Sequence, residues 1–230
     1  MNSPRTILLD AAGTLIEPAE SVAAVYARHF AAAGHLVEER VIRLAFGQIF
    51  QLLPPPEYPP HGDGDAAERI WWRSLVRETA IRCGLHAELA ESRSLFDSLF
   101  DHYAEGAAWR VFPEVGEVLD ALATEGFQLV VVSNFDHRLH RILDDLDLTR
   151  RFLAIINSAG ACSRKPDAGI FLKALERLDH SPSDALHIGD SAAADQVGAE
   201  NVGIRAFLLD RPRVTLFDAL KWIRDGFGGK

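Results

Sequence analysis

Short apolar runs separated by helical patterns recur through most of the chain. The first run, at residues 6–10, is Thr-Ile-Leu-Leu-Asp, and it stops at a Gly-Thr turn signal. Apolar, β-branched runs of this length are typical of strands that are buried on both faces. Further runs of the same kind lie at residues 128–133, 153–156, 185–188 and 204–208. Because helical patterns separate these runs, they predict an α/β fold with a doubly wound parallel sheet of five strands.

The stretch that follows the first strand has a different pattern. Between residues 19 and 108, apolar residues recur at helical spacing in successive segments that end at Gly34, at a Pro cluster, at Gly84 and near Tyr103. Residues 54–65 are rich in Pro and Gly and are predicted to form a loop between two helices. We therefore predict two domains, an α/β core and an inserted all-helical cap that covers the ligand site. Their predicted ranges are 1–16 with 111–230 for the core, and 17–110 for the cap.

Composition narrows the classes of partner. The chain has 230 residues, of which 48% are hydrophobic, and this is enough to bury one core with a smaller satellite. Its formal net charge is −9 and its 24 basic residues are scattered, which argues against a nucleic acid partner. There is no signal-like start, and no apolar run approaches the roughly 18 residues that span a bilayer. We expect a cytoplasmic protein without a membrane partner, and leave its oligomeric state open.

Polar residues follow the ends of the predicted strands. They are Asp10, Ser133 with Asn134, Lys165, and Asp190 with Asp195. Because the carboxyl ends of parallel strands meet at one edge of a sheet, these side chains should converge. Clustered carboxylates repel one another, so we expect a bound cation, and oxygen ligands of this kind suit Mg²⁺. Ser133, Asn134 and Lys165 could bind an anionic phosphoryl group beside that cation.

Four segments in this order resemble the motifs of the haloacid dehalogenase-like (HAD) hydrolase superfamily. They are Asp10-Ala11-Ala12-Gly13-Thr14-Leu15, Val132-Ser133-Asn134, Lys165-Pro166-Asp167 and Gly189-Asp190-Ser191-Ala192-Ala193-Ala194-Asp195. The helical block is similar to the type I cap of HAD subfamily I. Trp71-Trp72 and residues 133–139 resemble an uncharacterised branch described as HAD-like hydrolase domain-containing. The resemblance implies a Rossmannoid core and a hydrolase of the phosphatase type.

The resemblance also implies roles for the residues at the strand ends. Asp10 would attack phosphorus to form an aspartyl-phosphate, which water then hydrolyses. Ser133 and Lys165 would be catalytic and, with Asn134, would bind a small phosphorylated substrate. Mg²⁺ would be the cofactor, held by Asp10, the backbone carbonyl of Ala12, Asp190 and, as an occasional direct ligand, Asp195.

One position departs from the family pattern. In the phosphatases, the residue two places after the nucleophile is an Asp that protonates the leaving group and later deprotonates the hydrolytic water, whereas here it is Ala12. Loss of a positioned acid/base typically costs about 10² to 10⁴ in rate. A Mg²⁺-dependent phosphohydrolase would then need a good leaving group or an acid from the cap, for which the candidates by residue type are His29, His35, Glu57 and His61.

Other interpretations of Ala12 stay open. The chain could be a catalytically impaired member that binds a metabolite or a protein partner. A 2-haloacid dehalogenase is disfavoured because Asp190 and Asp195 point to a cation. A phosphonoacetaldehyde hydrolase would need a Schiff-base lysine in the cap, but the lysines, at positions 165, 173, 221 and 230, lie outside the helical block.

Overall fold

The structure is a computed structural model that describes residues 5–59 and 64–226. In chain order, the strands within these ranges are β1 (Thr6–Leu9), β2 (Ile16–Pro18), β3 (Trp109–Val111), β4 (Gln128–Ser133), β5 (Ala154–Asn157), β6 (Ala185–Gly189) and β7 (Arg205–Leu208). The central sheet has the order β5-β4-β1-β6-β7, and its strands are parallel. The predicted doubly wound α/β sheet is confirmed, and each of its strands lies within a residue or so of its predicted position.

Strand β1 lies at the centre of this sheet, and both of its faces are buried. Ile7 and Leu9 belong to one hydrophobic cluster, and Leu8 belongs to the cluster on the opposite face. In the ladder, Leu9 lies opposite Val131 of β4 and Ile188 of β6. The chain therefore continues to one side of β1 and then returns to the other side, which creates the change in strand order beside which ligands bind in such sheets.

A helical insertion, residues 19–108, separates β2 from β3. Its helices within the described ranges are α1 (Val22–Ala32), α2 (Glu39–Leu52), α3 (Gly64–Arg82), α4 (Ala87–Ala90) and α5 (Arg93–His102). The predicted last helix is split at Ser92, whose hydroxyl accepts a hydrogen bond from the Leu95 amide and so begins α5. Helix α3 begins at Gly64, inside the segment that was expected to be a loop.

The core adds helices to both faces of the central sheet. In the described residues they are α6 (Val115–Thr124), α7 (Arg138–Asp145), α8 (Ser158–Ala161), α9 (Ala168–Leu178), α10 (Gly198–Asn201) and α11 (Leu216–Arg224). Helices α6, α7 and α11 pack on the face of Ile7 and Leu9, while α9 packs on the face of Leu8. None of the helices in the described ranges is long and apolar enough to cross a membrane.

Strands β2 and β3 form a small antiparallel sheet that sequence analysis did not predict. Ile16 pairs with Val111, and Pro18 pairs with Trp109. Each strand has only three residues, too few for an alternating pattern to be visible in the sequence. The predicted domain boundaries, at 16/17 and 110/111, fall within this pair of strands, and the division into two domains stays a prediction.

Candidate active site

Asp10 and Lys165 form a buried ion pair at the carboxyl edge of the sheet. Asp10 follows β1 directly, and its Oδ1 accepts a hydrogen bond of 2.6 Å from Lys165 Nζ. The same ammonium group donates to Asp195 Oδ1, also at 2.6 Å. Burial alone would lower the pKa of Lys165, but the charges of Asp10 and Asp195 raise it overall, so Lys165 remains a cation. One lysine thus joins two of the predicted site residues.

Asp190 completes a group of three carboxylates with Asp10 and Asp195. One oxygen from each of them lies within 4.8 Å of the others. Burial raises the pKa of Asp10; Lys165 opposes this shift, and the negative charges of Asp195 and Asp190 reinforce it. The pKa of Asp190 is raised as well, by desolvation and then by Asp195. The group therefore retains unfavourable electrostatic repulsion that a further cation would relieve.

Gly13 explains how Asp190 comes so close to the loop after β1. Its φ is +89°, a conformation that favours glycine, and a Cβ at this position would lie 2.2 Å from Asp190 Oδ2. Arg211 fixes the same loop by donating to the carbonyls of Gly13 and Thr14, at 3.1 and 2.7 Å, and to Glu114 at 2.6 Å. The Gly-Thr turn seen in the sequence is therefore a rigid part of the site.

Asp195 is held by three donors. Besides Lys165, His187 Nε2 lies 2.9 Å from its Oδ1, and the Ser191 amide donates to its Oδ2 at 2.9 Å. Although burial opposes ionisation, Lys165 and His187 hold the pKa of Asp195 well below its usual range. Asp195 lies in a π-helical segment, Ala192–Val197, an uncommon geometry that is often associated with functional sites. It is therefore an ionised, orientationally fixed carboxylate.

His187 is a residue of this site that sequence analysis missed. It is fully buried in β6, and its Nδ1 has no hydrogen bond partner among the described residues. Because Nε2 faces a carboxylate, that nitrogen carries the proton, and His187 positions Asp195. The signal in the sequence was one polar residue within the apolar run Ala-Leu-His-Ile-Gly, which alone does not distinguish a structural histidine from one that supports a site.

Ser133 and Asn134 lie at the end of β4, next to β1. Ser133 is buried and pairs in register with Asn157 of β5. Asn134 Oδ1 accepts from the Lys165 amide at 2.7 Å, and its Nδ2 donates to the Lys165 carbonyl at 2.9 Å. Asn134 thus fixes the backbone that presents Lys165, a role that was not predicted. Its contact with substrate stays a prediction, as does that of Ser133.

Comparison with known proteins identifies the family of the chain. The model of the haloacid dehalogenase-like hydrolase family matches residues 4–203. A relative from Danio rerio, haloacid dehalogenase-like hydrolase domain-containing protein 3, is 34% identical over 212 residues, which is 90% of this chain and 85% of the relative. This chain belongs to the HAD-like hydrolase family. The predicted resemblance is confirmed, including the branch to which it pointed.

Solved structures of other HAD proteins show the same fold. A HAD phosphatase from Thermococcus onnurineus aligns with a TM-score of 0.67 at 20% identity, covering 98% of this chain and 99% of that one. A 2-haloacid dehalogenase from Pseudomonas syringae pv. Tomato DC3000 aligns with a TM-score of 0.63 at 22% identity, covering 98% and 100%. The fold is therefore common to a phosphatase and a dehalogenase, and only the site residues can distinguish the two activities.

Ala12 leaves this HAD hydrolase without a side-chain acid two residues after Asp10. The hydrogen bonds of the loop use its neighbours: the Ala11 carbonyl accepts from the amides of Thr14, Leu15 and Ile16, and the Gly13 amide donates to the Ile16 carbonyl. These contacts leave the Ala12 carbonyl outside the loop's own network. It is therefore compatible with the predicted role of a backbone ligand.

The cap residues suggested as substitute acids are not brought to Asp10 by any contact in the described ranges. His29 contacts Ser98 and the ring of His102, and His35 lies against His86. Glu57 is exposed, and His61 lies outside the described residues. A proton donor from the cap therefore has no structural support at His29 or His35.

The helical insertion contacts the core instead through the first turns of α3. Glu68 is buried and accepts hydrogen bonds from Tyr58 of the insertion and Ser158 of the core. Asp65 accepts from the backbone and the ring of His137. Sequence analysis missed this contact because a Glu on a helix is usually on its solvated face. Through these contacts, the insertion packs against the edge of the sheet that carries the site.

Proposed function

We propose that this HAD hydrolase is a Mg²⁺-dependent phosphohydrolase that acts on a small phosphorylated metabolite, with Asp10 as the nucleophile. The observation that carries the proposal is the group formed by Asp10, Asp190 and Asp195 beside Lys165. It combines oxygen ligands for a hard cation with an ammonium group for an anionic substrate. Asp190 and Asp195 favour a bound cation and so argue against a metal-independent dehalogenase.

The residues present fit Mg²⁺. The donor set contains only oxygen atoms, and the raised pKa values of Asp10 and Asp190 indicate that Lys165 alone does not neutralise the group. Both oxygens of Asp195 already accept hydrogen bonds. Asp10, Asp190 and the Ala12 carbonyl would therefore hold the ion, with Asp195 as an additional partner. Bound Mg²⁺ would withdraw charge from a phosphoryl oxygen.

The protein groups then account for two displacement steps. Lys165 holds Oδ1 of Asp10, so Oδ2 attacks phosphorus, and the bond from phosphorus to the leaving oxygen breaks with its electron pair on that oxygen. Water next attacks the phosphorus of the aspartyl-phosphate and loses a proton to solvent, and the bond from phosphorus to Oδ2 breaks, which releases phosphate and restores the Asp10 carboxylate. Lys165, with Ser133 and Asn134 nearby, stabilises the negative charge that moves through the phosphoryl group. A cytoplasmic location belongs to the same proposal.

Acetyl phosphate in the presence of Mg²⁺ tests this function because its leaving group needs no acid. We expect turnover by the wild type and a loss of at least 10²-fold in Asp10→Asn, which keeps the size of the side chain but removes the nucleophile. Asp225→Asn, a change of the same type at an exposed residue after α11, should retain activity.

The alternatives give different results in the same experiment. Tight binding of vanadate without turnover of any phosphate would indicate a catalytically impaired binding protein. Release of chloride from 2-chloropropionate without Mg²⁺ would indicate a dehalogenase and refute the proposal.

A further inference from the structure

A cavity of about 90 Å³ lies between the helical insertion and the core. Its walls are almost entirely aromatic and aliphatic, and both parts of the chain contribute to them. They include Pro18, Val22, Phe135 and Arg138. Most of the remaining wall comes from α1, α3 and α5.

The cavity lies close to the candidate active site. Its wall includes Phe135, which follows Ser133 by two residues, and Pro18, which follows the Asp10 loop in β2. Leu9 is opposite Val131 in neighbouring strands, so the backbones of Asp10 and Ser133 lie about 5–7 Å apart. Two further residues span at most about 7 Å. The backbone of Phe135 is therefore at most about 14 Å from that of Asp10, a span that the Asp10 side chain, a phosphoryl group and an aromatic leaving group can cover together.

The charge at the cavity wall is already paired. Arg138 donates to both carboxylate oxygens of Asp136 at 2.8–3.1 Å and to the Phe100 carbonyl at 3.0 Å, and both side chains of the pair are largely buried. Its guanidinium also lies 3.5 Å from the centre of the Phe100 ring. This cation is therefore not available to bind an anion, and the cavity suits an uncharged group.

We propose that the cavity binds the leaving group of the substrate, and that this group is an uncharged aromatic alcohol whose ring packs against the apolar wall. The inference rests on the proposed function and specifies its substrate class as aryl phosphates. It also gives a reason for Ala12. A phenol has a pKa of about 10, like the tyrosine side chain, so it leaves as an aryloxide far more readily than an alkoxide does. Solvent then supplies the proton, and no acid is needed two residues after Asp10.

Selectivity between phenyl phosphate and acetyl phosphate tests the inference. Val22→Phe would fill the cavity from the partly buried first residue of α1. We expect it to lower the ratio of kcat/KM for phenyl phosphate to that for acetyl phosphate by about tenfold or more, the usual effect of reshaping an apolar pocket. Val41→Phe makes the same change on α2 outside the cavity and should leave the ratio within about twofold.

Binding of phenol, measured by calorimetry, gives a readout that does not depend on turnover. Phenol should bind the wild type and the Val41→Phe variant, and binding should be lost in Val22→Phe. If acetyl phosphate is hydrolysed but the selectivity ratio is unchanged in Val22→Phe and phenol does not bind, the inference is wrong and the proposed function stands. If phenol binds at the cavity but no phosphate is hydrolysed, the proposed function is wrong, and with it the assignment of the cavity to a leaving group.

Discussion

At the scale of single residues, the proposed function makes Ala12 the position that limits the choice of substrate. The proposed nucleophile, the lysine and the acidic residues are all in place, whereas the position that supplies a proton in the family's phosphatases has only a methyl group. In the proposed mechanism, the chemistry on phosphorus is therefore separated from the chemistry on the leaving group. Asp10 and Lys165 would serve the first, and the second would depend on the substrate.

The change Ala12→Asp tests this separation. A carboxyl group at this position should protonate an alkyl leaving group, so hydrolysis of glycerol phosphate should rise by about 10² or more over the wild type. Ala12→Asn is the matched control, because it has a similar size but cannot donate a proton as an acid. Activity with glycerol phosphate should be measured at saturating Mg²⁺ for both variants. If both variants gain equally, or if neither does although Mg²⁺ still binds, the missing acid is not what limits alkyl substrates.

The site residues recognised from the sequence are charged residues that follow predicted strands. Asp10, Lys165, Asp190 and Asp195 follow buried strands, and the structure brings all four together. His187 could not be recognised, because its role depends on a partner eight residues away that becomes adjacent only through the π-helical segment. The role of Glu68 could not be recognised for a similar reason, because its side chain is buried by contact with the core and not by its own helix.

At the scale of elements, strands were easier to predict than the contacts between domains. Runs buried on both faces are apolar throughout, so five of them were clear. The packing of α3 on the core depends instead on a close approach between the backbones of α3 and α8. A Cβ on Gly64 would lie 2.0 Å from the carbonyl oxygen of Ala159 in α8, so only glycine permits α3 to pack where it does. Nothing in a Pro- and Gly-rich segment distinguishes such a glycine from one that serves a loop.

Gly64→Ala should therefore destabilise the protein. The added methyl group would separate α3 from α8, and overpacking of this kind costs about 1–3 kcal/mol. Gly47→Ala is the same substitution inside α2, where a Cβ would have nothing within 4 Å, and it should stabilise the protein by about 0.5–1 kcal/mol. Urea unfolding of the two variants measures the difference. Equal changes in both would show that α3 does not pack tightly on the core.

At the scale of the whole molecule, the charge left in the site links metal binding to stability. Asp10 and Asp190 both have raised pKa values because burial and neighbouring carboxylates disfavour their ionised forms. This repulsion is a cost to the folded state whenever both groups are ionised. A ligand that binds only the folded protein and removes that cost must raise its free energy of unfolding.

Mg²⁺ should therefore raise the melting temperature. At about 100 times its dissociation constant, a ligand contributes about 2.7 kcal/mol, which corresponds to about 5–10 °C for a protein of this size. Asp190→Asn should abolish this response, whereas Asp225→Asn should respond like the wild type. Differential scanning calorimetry with increasing Mg²⁺ provides the measurement. A full response in Asp190→Asn would place the ion elsewhere.

The short antiparallel pair of β2 and β3 brings the two ends of the helical insertion together. The chain leaves and re-enters the core at Pro18 and Trp109, which face each other in the ladder, and the Ala19 amide extends it by bonding to the Ala108 carbonyl at 2.8 Å. Paired Cα atoms in such ladders lie about 4.5–5.5 Å apart. In topology, the whole insertion therefore takes the place of the loop of one hairpin. A turn of about two residues could connect β2 to β3 instead. Under the proposed function, substrate preference and phosphoryl chemistry would lie on separate stretches of chain, so an insertion with a different pocket could be exchanged at this junction without rebuilding the strand that leads to Asp10.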